Sequence, residues 1–425
     1  MKTNYLFKNA FLIVFFLFNF LSVGSLFADA VVVNGIAYNV VKGTAEVAAL
    51  PNGTKYTGTL TIPANVTING TSYVVRKIGN GSLRDAPALT AVIIPDGLKV
   101  IGNSSFASCT GITSIVLPAT VDSIQDWSFY GCTSLESINI PAGIPAITEH
   151  TFQQSGLKSI TLPASVKSLK VCAFQDASKL ASINLENVTE IISYALYGTA
   201  ISSANVSNVI NIGGEAFRKC PNLASVVFHN VGGIGGWIFE GCPKLASIDL
   251  GTALASIETG SFSGCSKLTK LTIPNTVVYA GDWSLEKTGI TKIYVSWADP
   301  VNNVYFEPNA FGADAGKINF SWMVPEALLS AYGSTLMGFP VVLTDVTAVK
   351  NVQLEDANVF YSEGTLNLKG YQGYTITVVN INGRTIAQFP ATELNTRVPV
   401  SLVSGIYMIS AVKGNNRNVV KFIVK

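Results

Sequence analysis

The stretch FYGCTSLESINIP at residues 129–141 decides the fold. Phe129 opens it, Gly131 and Cys132 follow, and Leu135, Ile138 and Ile140 lead into Pro141. The same spacing returns as Leu157, Ile160, Leu162 and Pro163, and again as Leu268, Leu271, Ile273 and Pro274. The opening anchor recurs at Leu83, Phe106, Phe129, Phe152, Phe174, Leu196, Phe217, Phe239, Phe262 and Leu285, in steps of 21 to 23 residues. A period this short and steady predicts a stack of coils rather than a globular enzyme.

Each unit reads as one short strand with a fixed exit. Strand side chains alternate, so Ile138 and Ile140 point inward and Asn139 points outward. No unit can bury its own apolar face, and the next coil covers what it leaves open. Proline suits the strand end, where its missing N–H costs no central ladder bond. The expected fold is mainly β: a solenoid of repeats of 21–23 residues with a parallel sheet along one side, followed by a small antiparallel β-sandwich.

Composition narrows the function. The chain is 48% hydrophobic and only 13% charged, where about a quarter charged is usual. Its surface is therefore covered mainly by Ser, Thr, Asn and Gly, which favours recognition through hydrogen bonds and apolar contact over electrostatic steering. From Lys350 onward eight basic and four acidic residues give +4, against a total of +2. The acidic remainder lacks the basic stripe of a nucleic-acid binder, so no nucleic-acid partner is expected.

Four segments are expected along the chain. Lys2 and Lys8, the apolar run Ala10–Phe20 and the small residues up to Ala30 form a secretory signal peptide over 1–30. The solenoid with its caps spans 31–342, where Thr59–Pro63 already resembles a strand and its exit, and Trp322–Tyr332 suits a short helix closing the stack after a proline. A linker covers 343–352. The β-sandwich follows over 353–425, with Tyr374–Ile381 and Arg384–Phe389 joined by a tight turn at Asn382 and Gly383, and further strands at Ile406–Val412 and Asn418–Val424. No segment after the signal peptide is long and apolar enough to span a bilayer.

Units such as Ile101-Gly102-Asn103-Ser104-Ser105-Phe106-Ala107-Ser108-Cys109, followed by Ile112, Ile115, Leu117 and Pro118, resemble the BspA-like leucine-rich repeat surface proteins of Bacteroidetes (LRR_5 repeats). The tail resembles the sorting domain of the type IX secretion system through Asn380–Arg384, Ser404–Tyr407 and Lys421–Lys425. Its usual Tyr-Pro-Asn-Pro-like opening is replaced by Val359–Gly364. The resemblance implies a secreted or outer-surface protein in adhesion, without selecting its ligand.

Alignment on the anchors exposes two columns. Two residues before each anchor stand Ser104, Trp127, His150, Cys172, Tyr194, Glu215, Trp237, Gly260 and Trp283. Facing outward, Trp127, His150, Tyr194, Trp237 and Trp283 would make a broken aromatic stripe for a protein partner or sugar rings; facing a neighbouring turn, they would widen the core. The outward strand position gives Ile93, Val116, Asn139, Thr161, Asn184, Asn205, Val227, Asp249, Thr272 and Tyr294. Its polar members Asn139, Thr161, Asn184, Asn205, Asp249, Thr272 and Tyr294 are either a sheet face for an extended ligand or simple solvation.

Other chemistry is thin. Cys109, Cys132, Cys220, Cys242 and Cys265 share one repeat slot, filled elsewhere by Ser155, Ala177 and Thr199. That slot selects a small side chain, and buried free thiols are expected in place of disulfides. No Cys-x-x-Cys pair, ligand set around His150 or His229, catalytic triad or phosphate loop is visible, so no catalytic residues, metal or cofactor are expected. The expected function is an adhesin-like scaffold recognising an extracellular or host-surface protein along its repeat face. The alternatives are a carbohydrate-binding surface protein and a structural surface-layer component.

Overall fold

A computed structural model describes residues 30–297, 304–312, 320–325, 328–332, 334–336, 339–343, 359–362, 364–380, 385–402, 405–413 and 416–424. They form two compact units, one of residues 30–291 with 304–312, the other of residues 292–297 with those from 320 onward.

The first unit is a solenoid in which each coil carries two short strands instead of the one expected. The first series holds the inward Ile or Leu of the quoted motif. Ser114–Ile115 pairs with Ser137–Ile138, Ser159–Ile160 with Ser182–Ile183, and Ser203–Asn205 with Ser225–Val227 and then Ser247–Asp249, all parallel and in register. The second series lies about nine residues further on. It pairs Ala146–Ile147, Ser168–Leu169, Glu190–Ile191, Asn211–Ile212 and Gly233–Ile234, and, near the end, Ser256–Ile257, Tyr279–Ala280 and Tyr305–Phe306. With one inward side chain in a strand of two residues, this second series has no alternation to read from sequence.

An N-terminal meander, Val31–Val33, Ile36–Val41 and Thr44–Ala48, opens the stack. Thr44–Ala48 runs parallel to Thr71–Ile78, which in turn runs parallel to Val100–Ile101, so the cap extends the second sheet. Gly58–Thr61, the expected early strand, pairs parallel with Leu89–Ile93.

The core is a column of anchors. Phe106, Phe129, Phe152 and Phe174 are fully buried and stack with centroids 5.1, 5.5 and 5.4 Å apart. Leu196 interrupts the rings, and Phe217, Phe239 and Phe262 resume them at 5.7 Å. Each buried ring removes its apolar area from water, worth roughly 1.5–3 kcal/mol, and Phe129, Phe152 and Phe239 gain a stacked ring on either side. All five cysteines of the shared slot are free and buried, as is Cys172 of the other column. Cys109, Cys132, Cys220, Cys242 and Cys265 donate Sγ–H to the carbonyl of the anchor one coil back, at 2.9–3.2 Å. Thr199 in the same slot donates instead to Leu196 O of its own coil, at 2.9 Å.

In the second unit, Ser321–Val324 is a strand, and the helix expected over Trp322–Tyr332 is confined to Leu329–Tyr332. Trp322, Met323 and Val324 are all buried and pair parallel with Lys292–Tyr294 and Phe339–Leu343. A segment buried between two strands satisfies its backbone as a strand.

The C-terminal part of this unit contains two antiparallel sheets. One joins Val359–Ser362, Thr365–Lys369 and Asn395–Pro399; the other orders Thr385–Pro390, Thr375–Asn380, Gly405–Lys413 and Asn416–Val424. Leu366, Leu368, Ile376, Val378, Ile409 and Tyr371 are at its core. Tyr361 Oη donates to Val400 O at 2.8 Å and accepts from Leu402 N at 3.1 Å. Residues 1–29 of the expected signal peptide, residues 344–352 of the expected linker and the expected turn at Asn382 and Gly383 lie outside the described residues.

Candidate functional site

The turn around each anchor explains the aromatic column. In one coil Ser105, Ala107 and Cys109 close local turns on Gly102, Ser104 and Phe106, while Ser104, Phe106 and Ser108 donate to Asp126, Ser128 and Tyr130 of the next coil. Directing alternate N–H groups along the stack requires left-handed backbone on both sides of the anchor. Two residues before it, Ser104, Trp127, His150, Cys172, Tyr194, Glu215, Trp237, Gly260 and Trp283 all have φ between 53° and 67°. Two residues after it, Ser108, Gly131, Gln154, Asp176, Gly198, Lys219, Gly241, Gly264 and Lys287 have φ between 54° and 78°.

Glycine is the natural occupant of such positions, and a bulky residue there is strained by roughly 1–3 kcal/mol. Trp127, Tyr194, Trp237 and Trp283 accept that cost in return for contacts made at the surface. Trp127, His150, Tyr194 and Trp237 are half-buried and Trp283 is 38% exposed. The column is thus neither core nor a free fringe.

It gathers into two patches separated by the buried Cys172. In the first, Trp127 stacks on His150 with centroids 3.8 Å apart and planes at 17°, and Tyr130 tilts against Trp127 at 5.1 Å. His150 Nδ1 lies 2.6 Å from Gln153 Oε1, and Gln153 Nε2 donates to Gln175 Oε1 at 2.9 Å.

In the second patch Tyr194 Oη donates to Glu215 Oε1 at 2.5 Å, and Arg218 pairs with both Glu215 and Glu240. The Arg218 guanidinium sits 5.7 Å from the centroid of Trp237, whose indole also stacks with Trp283 at 6.1 Å and 25°. Trp237 and Trp283 are two coils apart and can meet because the intervening residue is Gly260: a methyl group there would fall inside the Trp237 ring. Burial, followed by the hydrogen bond to Glu215, pushes the Tyr194 phenol up to about 12. Lys219 Nζ stands 5.6 Å from the Tyr197 ring centroid. Arg218, Tyr197 and Tyr130 were missed by the column reading; they share the position one residue after the anchor, the signal that would have found them.

The strand column points outward as expected. Asn139, Thr161, Asn205, Asp249 and Thr272 are exposed and Asn184 is half-buried. Its amides, however, are engaged with backbone. Asn139 Oδ1 accepts from Leu117 N at 2.7 Å and its Nδ2 donates to Leu117 O at 2.8 Å, and Asn184 repeats this on Leu162 at 2.7 and 2.9 Å. Asn205 Oδ1 and Asp249 Oδ1 accept from Ser207 N and Gly251 N, two residues on, as Asx turns. Tyr294 belongs to the second unit, half-buried and opposite Met323.

Stacked coils of this length, with a buried aromatic anchor and parallel strands, define a leucine-rich repeat solenoid. The chain matches the BspA type leucine rich repeat region in six copies over residues 76–202 and 189–313, and belongs to that family. Residues 362–425 match the secretion system C-terminal sorting domain, which marks the chain for type IX export to the cell surface or the exterior.

Solved structures similar to it include a leucine-rich repeat protein from Bacteroides ovatus, at 22% identity over 73% of this chain and 99% of that one with a TM-score of 0.49. A leucine rich cell surface protein from Faecalibacterium prausnitzii matches at 22% identity over 73% and 98%, TM-score 0.42. The pneumococcal vaccine antigen PcpA matches at 14% over 75% and 99%, TM-score 0.38. No curated protein matches the chain. Among the described residues no helix is long and apolar enough to cross a membrane.

Proposed function

We propose that the chain is an adhesin-like binding scaffold which, delivered by its N-terminal signal peptide and sorting tail, recognises an extracellular protein partner along the aromatic column. The observation that carries this reading is the left-handed backbone at Trp127, Tyr194, Trp237 and Trp283. Strain of this kind persists where surrounding structure or function holds it. Trp, Tyr and Arg are also the residue types that dominate protein–protein hot spots, and here they cluster as Tyr194, Arg218, Trp237 and Trp283.

A protein partner suits the geometry better than a sugar. Sugar stacking needs a free ring face, whereas Trp127 shares a face with His150, and Trp237 lies between Arg218 and Trp283. The ring edges left exposed are surfaces against which side chains of a protein pack. Contact at several coils of a rigid stack would add avidity without further ordering cost. The role is binding, not catalysis, as repeat solenoids are scaffolds.

The test is an array of extracellular-matrix proteins, mucins and purified glycans probed with the full mature chain and with Trp127→Ala and Trp237→Ala. Saturable protein binding that survives deglycosylation and is lost in the variants supports the reading. Binding only to glycans, or protein binding indifferent to both substitutions, overturns it.

A further inference from the structure

The second sheet ends in a face unlike the rest of the solenoid. Its last three strands, Ser256–Ile257, Tyr279–Ala280 and Tyr305–Phe306, are parallel and in register, so their outward residues form two rows. Ser256, Tyr279 and Tyr305 make one, and Glu258, Gly281 and Glu307 the other. Tyr305 is 56% exposed, and Val278 beside Tyr279 is 51% exposed, which leaves apolar surface uncovered on a sheet face. The Tyr279 and Tyr305 rings stack with centroids 6.3 Å apart and planes at 17°. Both phenols donate to Glu307, each at 3.3 Å.

Gly281 stands between Glu258 and Glu307 in the second row, one coil from each. A Cβ there would stand 2.6 Å from Thr259 N, so close coil packing keeps the position bare. Glu258 and Glu307 thus flank a residue without a side chain, with the tyrosine pair beside them. Asp282 follows Gly281 directly. Among the described residues none of Glu258, Asp282 and Glu307 has an ion-pair partner; their bonds are to Ser256 Oγ, to Asn309 N and to the two phenols. Some carboxylates elsewhere on the solenoid are matched across coils, as Glu190 is by Lys170 and Glu136 by Lys158. Burial, followed by Glu307, holds the Tyr279 phenol above its ordinary pKa, and Glu307, followed by burial, does so for Tyr305, with Asp282 adding to both.

We propose that this face docks an arginine-bearing basic segment of a protein partner. Two features select that occupant. Unpaired carboxylates call for cationic charge, and exposed tyrosine rings next to them offer a surface on which a planar guanidinium can stack while pairing with a carboxylate. Lysine satisfies the charge but makes the poorer match, because its ammonium is a compact, strongly hydrated point charge. The face adjoins the aromatic column at Trp283, which follows Asp282, but it includes neither Trp127 nor Trp237.

The test uses the full mature chain and fluorescein-labelled peptides of alternating glycine with arginine, lysine or glutamate, titrated by anisotropy at physiological salt. Saturable binding of the arginine peptide, several-fold tighter than the lysine peptide and absent for the glutamate peptide, is expected. Tyr305→Ala and Glu307→Gln should each weaken it about tenfold, Glu258→Gln by less, and Glu136→Gln, which removes the same charge elsewhere, should leave it unchanged. Equal loss for Glu136→Gln and Glu307→Gln, or no loss for Tyr305→Ala, would reduce the effect to bulk charge and overturn the proposal, as would no binding at all. Trp237→Ala should retain arginine-peptide binding, so failure of the aromatic-column reading is scored separately.

Discussion

Trp237 tests whether the turn backbone is as strained as its geometry says. The residue sits at φ 59°, half-buried, with Arg218 on one face and Trp283 on the other. Truncating a fully buried tryptophan to alanine costs roughly 3–5 kcal/mol, so a half-buried one that also loses a stacked neighbour should cost about 2 kcal/mol. Glycine at the same position loses the same side-chain contacts and one methyl more. At an ordinary helix or strand site it would be worse than alanine by about 0.5–1 kcal/mol. In left-handed backbone the order reverses. Alanine keeps a steric penalty of roughly 1–2 kcal/mol that glycine does not have, set against about 0.4–1 kcal/mol of extra unfolded-state entropy. Trp237→Gly should therefore be more stable than Trp237→Ala by about 0.5–1 kcal/mol, read as a higher urea midpoint at unchanged slope. A lower midpoint for the glycine variant would refute the claim that this column accepts strain to display its rings.

The anchors were legible because one fully buried residue per coil has nothing to compete with its period. Phe106, Phe129 and Phe152 recur at the coil length and stack directly on one another. The sheet column was legible in orientation, since alternation fixes which way Asn139 points, but not in use. That Asn139 and Asn184 bond both backbone groups of Leu117 and Leu162 depends on a strand exit one coil back, which no local pattern encodes. The second strand series stayed hidden behind single isoleucines such as Ile124 and Ile147. The left-handed columns were masked by their own chemistry: Trp and Tyr are poor candidates for positive φ, and glycines such as Gly131, Gly198, Gly241, Gly260 and Gly264 betray it. Read by column instead of along the chain, alternation of glycine with polar or bulky residues is the signature of a backbone demand that some side chains meet at a cost.

Four further outcomes follow from the packing. Phe152→Ala, which leaves a gap between Phe129 and Phe174, should cost about 3–5 kcal/mol by denaturant titration, clearly more than Trp237→Ala. Asn184→Ala strands Leu162 N–H and C=O, so about 1–2 kcal/mol of stability should be lost and the Leu162 amide should exchange faster with deuterium; unchanged exchange would show that water replaces the amide without penalty. Burial raises the Cys109 thiol from its ordinary 9.0 to about 11 and those of Cys172 and Cys265 to about 12. The unfolded chain therefore releases these protons first: the stability they contribute is complete below about pH 9, declines as pH rises and is gone above the folded values. Replacing Cys109, Cys172 and Cys265 by alanine should flatten the fall in melting temperature between pH 9 and pH 10, before tyrosines contribute strongly; an unchanged slope would remove the thiols as its cause. Finally, Gly260→Ala adds a methyl where the Trp237 ring lies, in backbone already at φ 67°, whereas Gly264→Ala at φ 78° meets nothing nearer than 3.5 Å. Both should bear the left-handed penalty of roughly 1–2 kcal/mol, but only Gly260→Ala must also expel the indole, adding about 1–3 kcal/mol of overpacking. It should abolish the near-ultraviolet dichroism of the stacked Trp237–Trp283 pair and weaken partner binding although Gly260 is itself buried. Equal losses for the two glycines, with the tryptophan dichroism intact, would mean that the rings do not depend on the gap Gly260 leaves for them.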